Sequence, residues 1–291
     1  MINLKRDDQK MKNMKLFVVG MPASGKTSYI ARLCIQLLSR RDTIYKLKGV
    51  ELPKGLENIQ NAISSLTQYE EIARTLKTAL YNIVFPLESE NGGEILLDMP
   101  DLSGENYSEL VEKRYITKEL YQNLQEADEL LFFINTDMME REERIILNEE
   151  TVAKKLHDDE NSTEEGHNII QPKATQTQVV ELLQLIVALT KKKLKIKFVI
   201  SAWDSMEKKY GAKIRKPEEC LQSELPLLYQ YIVCNTERMD YQVFGVSAQG
   251  MEYADAGKVD ELLDTDENIE DMAVIVMPDG EKYQDMSRLF G

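Results

Sequence analysis

Eight residues constrain this chain more than any others. Gly20-Met21-Pro22-Ala23-Ser24-Gly25-Lys26-Thr27 matches G-x-x-x-x-G-K-[ST] at every defined position. The match follows the apolar run Leu16-Phe17-Val18-Val19, which reads as a buried strand. It opens a stretch, Thr27 to Arg40, with apolar residues at Ile30, Leu33, Cys34, Leu37 and Leu38, which is helical spacing. Strand, glycine loop and helix in that order are the context in which such a loop cradles phosphate. Glycines let backbone N–H groups curl around an anion, and the helix turns its positive end toward it. Lys26 is expected to bridge the outer phosphates and act catalytically. The Thr27 hydroxyl is expected to hold Mg2+. Gly20, Pro22, Ala23, Ser24, Gly25 and Ser28 complete the predicted phosphate-binding set.

Beyond the loop, strand-like and helix-like segments alternate. Helical patterns cover Leu56 to about Thr75, Ser108 to Ala127, Gln176 to Lys192 and Pro217 to Val233. Strand patterns cover Ala79–Leu87, Glu94–Met99, Leu130–Ile134, Leu194–Ile200 and Tyr241–Val246, and the first two form an antiparallel hairpin across Asn91-Gly92-Gly93. The predicted fold is α/β, a three-layer P-loop NTPase fold with a mostly parallel sheet, one antiparallel edge strand and helices on both faces. Ligands in such folds sit at the carboxyl ends of the strands. Residues 1–14 read as a polar N-terminal arm. Residues 15–291 read as one domain carrying a charged insert at about 138–175 and an acidic segment at 251–291. In that segment Asp279-Gly280 turns a hairpin between Ala273–Met277 and the Tyr283 region.

Charge narrows the partners. With 36 Lys plus Arg against 50 Asp plus Glu, the net charge is −14, a field that repels phosphate backbones and anionic lipid. Lys191, Lys192, Lys193, Lys195 and Lys197 are the best candidate for a basic patch, and they read as a helix end and strand flanks rather than a nucleic-acid patch. No nucleic acid is expected, and no stretch has the apolar length of a membrane span. Cys34, Cys220 and Cys234 lack metal or disulfide spacing, which fits a reducing cytoplasm. His157 and His167 stand alone in the charged insert and suggest no acid–base chemistry.

A magnesium-bound triphosphate calls for an acid at a neighbouring strand end. Asp98 follows Ile95-Leu96-Leu97 directly and is one candidate; Asp101 is the other. Asp101-Leu102-Ser103-Gly104-Glu105 resembles the D-x-x-G-[QE] segment of Ras-like GTPases, and this spacing favours Asp101. The resemblance implies that Asp101 holds Mg2+ through water and that the Gly104 amide touches the γ-phosphate. Glu105 falls where those proteins carry the glutamine that orients the attacking water.

The strand Phe198-Val199-Ile200 leads into Ser201-Ala202-Trp203-Asp204, where Ras-like GTPases read guanine with N-K-x-D. Asp204 keeps the aspartate; Ser201 and Ala202 replace the asparagine and lysine. Trp203 either covers the base in place of the lysine or belongs to the core. Ser247-Ala248-Gln249 resembles the S-A-K loop whose backbone contacts guanine. For the switch threonine, Thr43, Thr67, Thr75 and Thr78 qualify by position. Thr75 is the best candidate metal ligand, and its neighbour Arg74 a candidate arginine finger.

Taken together, GMPASGKTSYIARL, PDLSGE, SAWD and GVSAQG, spanning Gly20 to Gly250, resemble the bacterial double-GTPase families found beside partner proteins in conflict or defence operons. The resemblance implies a TRAFAC-type GTPase switch, with GTP/GDP and Mg2+ as cofactors and a protein partner encoded nearby. Slow hydrolysis is expected where the glutamine is missing. An ATPase or kinase on the same core, and a non-hydrolysing assembly module, are the alternatives.

Overall fold

The computed structural model describes residues 12–39, 43–48, 53–55, 57, 59–70, 72, 81–89, 92–101, 104–139, 175–213, 216–250, 253 and 272–290. A nine-stranded sheet organises them, in the order β2-β3-β4-β1-β5-β6-β7-β8-β9. Its strands are β1 (Lys12–Val19), β2 (Tyr45–Leu47), β3 (Tyr81–Ser89), β4 (Glu94–Asp101), β5 (Glu129–Ile134), β6 (Leu194–Ser201), β7 (Met239–Ser247), β8 (Val274–Val276) and β9 (Lys282–Tyr283). The central five, β4-β1-β5-β6-β7, are parallel. β3 runs antiparallel to both β4 and β2, and β8 antiparallel to both β7 and β9. The expected antiparallel strand is therefore β3, but it is not the edge. β2 pairs outside it, where the Tyr45 ring packs on Phe290 with centroids 5.3 Å apart. β1 reaches back to Lys12, into the expected arm, because β4 continues alongside it (Lys12 opposite Ile95).

The strands alternate between two cores, as a sheet covered on both faces requires. Leu16, Val18, Phe85, Leu97, Phe133 and Val199 face α1 (Lys26–Leu38), α2 (Gln60–Thr67) and the 3-10 turn Met286–Phe290. Phe17, Val19, Phe132, Ile134, Phe198 and Ile200 face the other helices: α3 (Gly104–Lys113), α4 (Lys118–Glu126), α5 (Gln176–Leu189), α6 (Trp203–Tyr210), α7 (Pro217–Glu224) and α8 (Pro226–Cys234).

Two helices expected as single runs are broken. Between α3 and α4 the chain turns at Arg114, whose φ is +53°, and restarts at Thr117, whose hydroxyl oxygen accepts from Leu120 N. Between α7 and α8, Pro226 ends the run: proline forces the residue before it out of the helical region, and Leu225 sits at φ −130°, ψ 61°. The predicted acidic run at 158–160, both histidines and most of segment 251–271 lie outside the described residues. Of the lysines in the basic cluster, Lys197 pairs with Glu129 at 3.0 Å and Lys193 with Asp240 at 2.6 Å, and Lys192 donates to the Ala127 carbonyl. Among the described residues no helix is long and apolar enough to cross a membrane.

Candidate functional site

All four motif segments end at one edge of the sheet. β1 runs into Gly20, β4 closes on Asp101, β6 on Ser201 and β7 on Ser247, and these strands are parallel. The glycine loop is shaped by close approach. A Cβ on Gly20 would stand 2.5 Å from Ser24 Oγ and 2.7 Å from the Phe133 carbonyl oxygen, so no side chain fits. Gly25, at φ +88°, begins α1, and a Cβ there would stand 2.7 Å from that of Ser201. Ala23 takes a left-handed φ of +58° at the exposed tip of the loop, and its carbonyl accepts from Asn135 Nδ2 at 3.3 Å. The first turn of α1 has N–H groups without intrahelical acceptors, and their dipoles add positive potential beside the loop.

Lys26 is buried, with its ammonium folded into the loop. Nζ donates to the carbonyls of Gly20 (2.8 Å) and Met21 (3.1 Å) and to Ser24 Oγ (3.3 Å). It also lies over the Tyr107 ring, 5.8 Å from its centroid, and Tyr107 on α3 donates its hydroxyl to the Val18 carbonyl at 2.7 Å. The lysine is thus held at the loop from below, at the last turn of β1. Thr27 and Ser28 are half-buried in the first turn of α1, and Pro22 is half-buried in the loop.

The two magnesium candidates separate by register. Asp98 lies opposite Lys15, four residues before the end of β1, whereas Asp101 is the last residue of β4. Three residues of strand put about 10 Å between them. Asp98 instead joins Lys15 and Glu126 below the site. Its Oδ1 is buried without a hydrogen bond, and burial pushes its carboxyl above the ordinary aspartate value of 3.8, with Glu126 adding to the rise and Lys15 opposing it. Gly104 opens α3 and Glu105 follows it; the side chains of Glu105 and Asp101 lie outside the described residues, as do Arg74, Thr75 and Thr78. Of the other threonines, Thr43 donates to the Tyr45 carbonyl and Thr67 to that of Ser64, so both hydroxyls serve local turns.

At the other end of the site, Asp204 in the first turn of α6 accepts from the Ser247 hydroxyl at 2.8 Å, and Ser247 Oγ accepts in turn from Gly250 N at 3.2 Å. Ser201 is buried against Gly25 and donates to the Ile134 carbonyl at 3.2 Å, tying the ends of β5 and β6 to the phosphate loop. Ala202, where the lysine would stand, adopts φ +51°. Trp203 belongs to the core. It is 3% exposed, its ring lies against Gly245, and its Nε1 donates to Glu207 at 2.6 Å.

Sequence reasoning missed four residues that shape the site: Arg32, Tyr107, Asn135 and Tyr253. Arg32 is wholly buried on α1 and donates from Nε to the Ala248 carbonyl at 2.5 Å. The one signal in the sequence is its charge within the run Tyr29–Ile35, which is otherwise without charge.

A glycine loop between β1 and α1, at the carboxyl edge of a parallel sheet, defines a P-loop nucleotide-binding domain. The profile of the family described as Double-GTPase 1 matches residues 17–290, and the chain belongs to that family. It is accordingly a P-loop GTPase of the guanine-nucleotide-binding kind. Comparison with curated proteins gave no match. Among solved structures, the chain is similar to the Arl6 (BBS3) small GTPase of Trypanosoma brucei with bound nucleotide analogue (10% identity, 87% of this chain and 97% of that one, TM-score 0.34). It is also similar to translation elongation factor SelB of Methanococcus maripaludis with a GTP analogue (14%, 89% and 36%, 0.36) and to the mammalian SRP receptor (12%, 84% and 97%, 0.37).

Proposed function

We propose that the chain is a Mg2+-dependent switch that binds GTP and hydrolyses it slowly, works in the cytoplasm of a bacterium, and is coupled to a protein partner in a defence system. The observation that carries the guanine reading is the hydrogen bond from Ser247 to Asp204. It fixes a carboxylate at the same sheet edge as the phosphate loop, where it can accept from the N1–H and 2-amino group of guanine, a pair adenine lacks. The resemblance to partner-coupled GTPases supports the switch, the partner and the defence role.

The donors available for magnesium, Thr27 on α1 and Asp101 at the end of the adjacent β4, are hard oxygens of the kind that ion prefers, with Thr75 as the third candidate. When bound, the ion would neutralise phosphate charge. The chain's own residues do the rest. The loop amides and Lys26 stabilise charge on the γ-phosphate as water attacks phosphorus in line. A bond forms from the water oxygen to the γ-phosphorus, the bond from that phosphorus to the β–γ bridging oxygen breaks, GDP leaves, and a water proton passes to Glu105 or to an oxygen of the transferred γ-phosphate. Arg74 is the proposed source of further positive charge. A carboxylate at position 105 is repelled by triphosphate, which accounts for the slow turnover.

The test is competition against a fluorescent GTP analogue in magnesium, using GTP, GDP and ATP, with Lys26→Ala and Asp204→Ala, followed by phosphate release. The reading requires GTP to outcompete ATP, Asp204→Ala to erase that preference and Lys26→Ala to abolish binding. Equal competition by ATP would make the protein a permissive NTP switch or an ATPase. Selective GTP binding without phosphate release would make it a nucleotide-dependent assembly module.

A further inference from the structure

We infer that Arg32 is a positioning residue for guanine recognition, acting from the phosphate-loop helix on the backbone of the loop at Ala248 and Gln249. The inference rests on the guanine reading above and names the device that reads one edge of the base.

Arg32 is the largest fully buried side chain among the described residues, with 0% exposure. A guanidinium is costly to bury unless its N–H groups are used. Here Nε donates to the Ala248 carbonyl at 2.5 Å, and Nη2 donates to the Tyr253 hydroxyl at 3.3 Å. The Tyr253 hydroxyl donates in turn to the Gln249 carbonyl at 2.9 Å. Two successive carbonyls of the loop are therefore held, one by Arg32 directly and one through Tyr253. A bond from a charged donor is shorter and stiffer than one between neutral groups.

The consequence follows from peptide geometry. The described peptides are all trans, so the carbonyl of Ala248 and the N–H of Gln249 point in opposite directions from the peptide they share. Fixing that carbonyl against α1 turns the N–H to the other side. An N–H donor distinguishes a 6-oxo purine, which accepts, from a 6-amino purine, which cannot. Asp204 supplies the complementary half of the code, accepting from N1–H and the 2-amino group. Ser247 binds Asp204 and begins the loop that Arg32 holds, so the two readers are adjacent but separately supported. The helix that presents Lys26 and Thr27 to phosphate thus also sets the loop that reads the base.

Four nucleotides vary the two edges: GTP (6-oxo, N1–H and 2-amino), ITP (6-oxo and N1–H), 2,6-diaminopurine riboside triphosphate (2-amino only) and ATP (neither). Their dissociation constants would be measured on the full chain, on Arg32→Met and Arg32→Lys, and on Tyr253→Phe. Arg32→Met is expected to weaken GTP and ITP about tenfold while leaving ATP and the diaminopurine nucleotide unchanged. Arg32→Lys, which retains one charged donor, should recover part of the loss. Tyr253→Phe should show the same selectivity on a smaller scale. Loss of all four nucleotides by one common factor would reduce Arg32 to packing and overturn the inference. If Arg32→Met does not fold, the lysine and phenylalanine variants carry the test, and unchanged ratios in both overturn it equally. A wild-type protein without any 6-oxo preference would instead overturn the guanine reading itself, and the inference with it.

Discussion

Ser247 donates its hydroxyl to Asp204 at 2.8 Å, joining residues from two neighbouring strand ends that lie 43 positions apart in the chain. The bond holds the carboxylate without neutralising it. Asp204→Ala is expected to cost GTP roughly 10- to 100-fold in affinity, as for hydrogen bonds to a charged acceptor, and to leave ATP unaffected. Ser247→Ala, which leaves the acceptor but frees its rotamer, should cost only several-fold. Competition titration reads both. An equal loss for ATP in either variant would mean the pair serves the fold rather than the base.

Gly25 and Ser201 are in contact, and the contact predicts a stability defect. In Gly25→Ala the new methyl would stand 2.7 Å from Ser201 Cβ, on a backbone at φ +88°. The left-handed strain alone costs about 1–2 kcal/mol, and the clash adds to it, so Tm should fall by at least about 3 °C. Adding Ser201→Gly removes the clash but not the strain, so the double variant should recover part of the loss and never all of it. Full recovery would show that backbone strain contributes nothing.

Much of this architecture is legible in the sequence because its signals are local. The glycine loop announces itself by residue type and spacing, and the apolar runs at Phe132-Phe133-Ile134 and Phe198-Val199-Ile200 mark strands buried on both faces. The breaks depend on single residues that periodicity smooths over: Arg114 at positive φ divides one predicted helix, and Pro226 divides another. The role of Arg32 is hidden in the sequence for a different reason. Hydrophobic periodicity assigns a charged residue to the solvent face, but α1 is buried on all sides from Tyr29 to Leu37, and only tertiary contacts reveal the carbonyl that the guanidinium serves. That Asp98 lies opposite Lys15 while Asp101 closes β4 is visible only from strand register.

The three cysteines should differ sharply in reactivity. Burial pushes the Cys34 thiol up to about 12. Burial likewise pushes Cys220 up to about 11, with Asp137 adding to the rise and Lys209 opposing it, whereas Cys234 is exposed. Because the thiolate is the reacting form, an aromatic disulfide reagent at pH 8 should titrate one thiol rapidly in the native protein and all three in denaturant. A second fast thiol in the native state would contradict the packing of α1 or α7.

Asp98 makes the stability depend on pH in an unusual direction. Its carboxyl is raised by burial above 3.8, so the folded state holds the proton more tightly than the unfolded chain does. Between 3.8 and the raised value the folded state binds more protons, and stability contributed at this site falls as pH rises. Asp98→Asn removes that penalty. At pH 7 it should be the more stable protein, by less than about 1 kcal/mol because the side chain is only half-buried. The gap should close as pH falls below 3.8. Thermal melts of both proteins from pH 3.5 to 8 test this, and a gap that does not vary with pH would assign the effect to packing.

The C-terminal turn is tied to the phosphate-loop helix by one side chain more than any other. Gln36 on α1 donates from Nε2 to the Gln284 carbonyl at 2.7 Å and accepts from Met286 N at 2.9 Å, while Tyr29, two turns earlier, donates to the Met286 carbonyl at 3.1 Å. Leu289 and Phe290 complete the seal, buried in the same core as α1. Gln36→Leu keeps the volume but takes the acceptor from the buried Met286 N–H, worth about 1–3 kcal/mol when orphaned, and removes the bond to the carbonyl of the exposed Gln284. Tyr29→Phe orphans only one acceptor and should cost roughly 1 kcal/mol. Hydrogen exchange separates local from global effects. In Gln36→Leu the Met286 amide should lose protection by a larger factor than amides of β6, because the turn can open while the sheet stays intact. Equal loss at both places would mean that the turn and the sheet unfold as one unit, with Gln36 contributing to global stability alone.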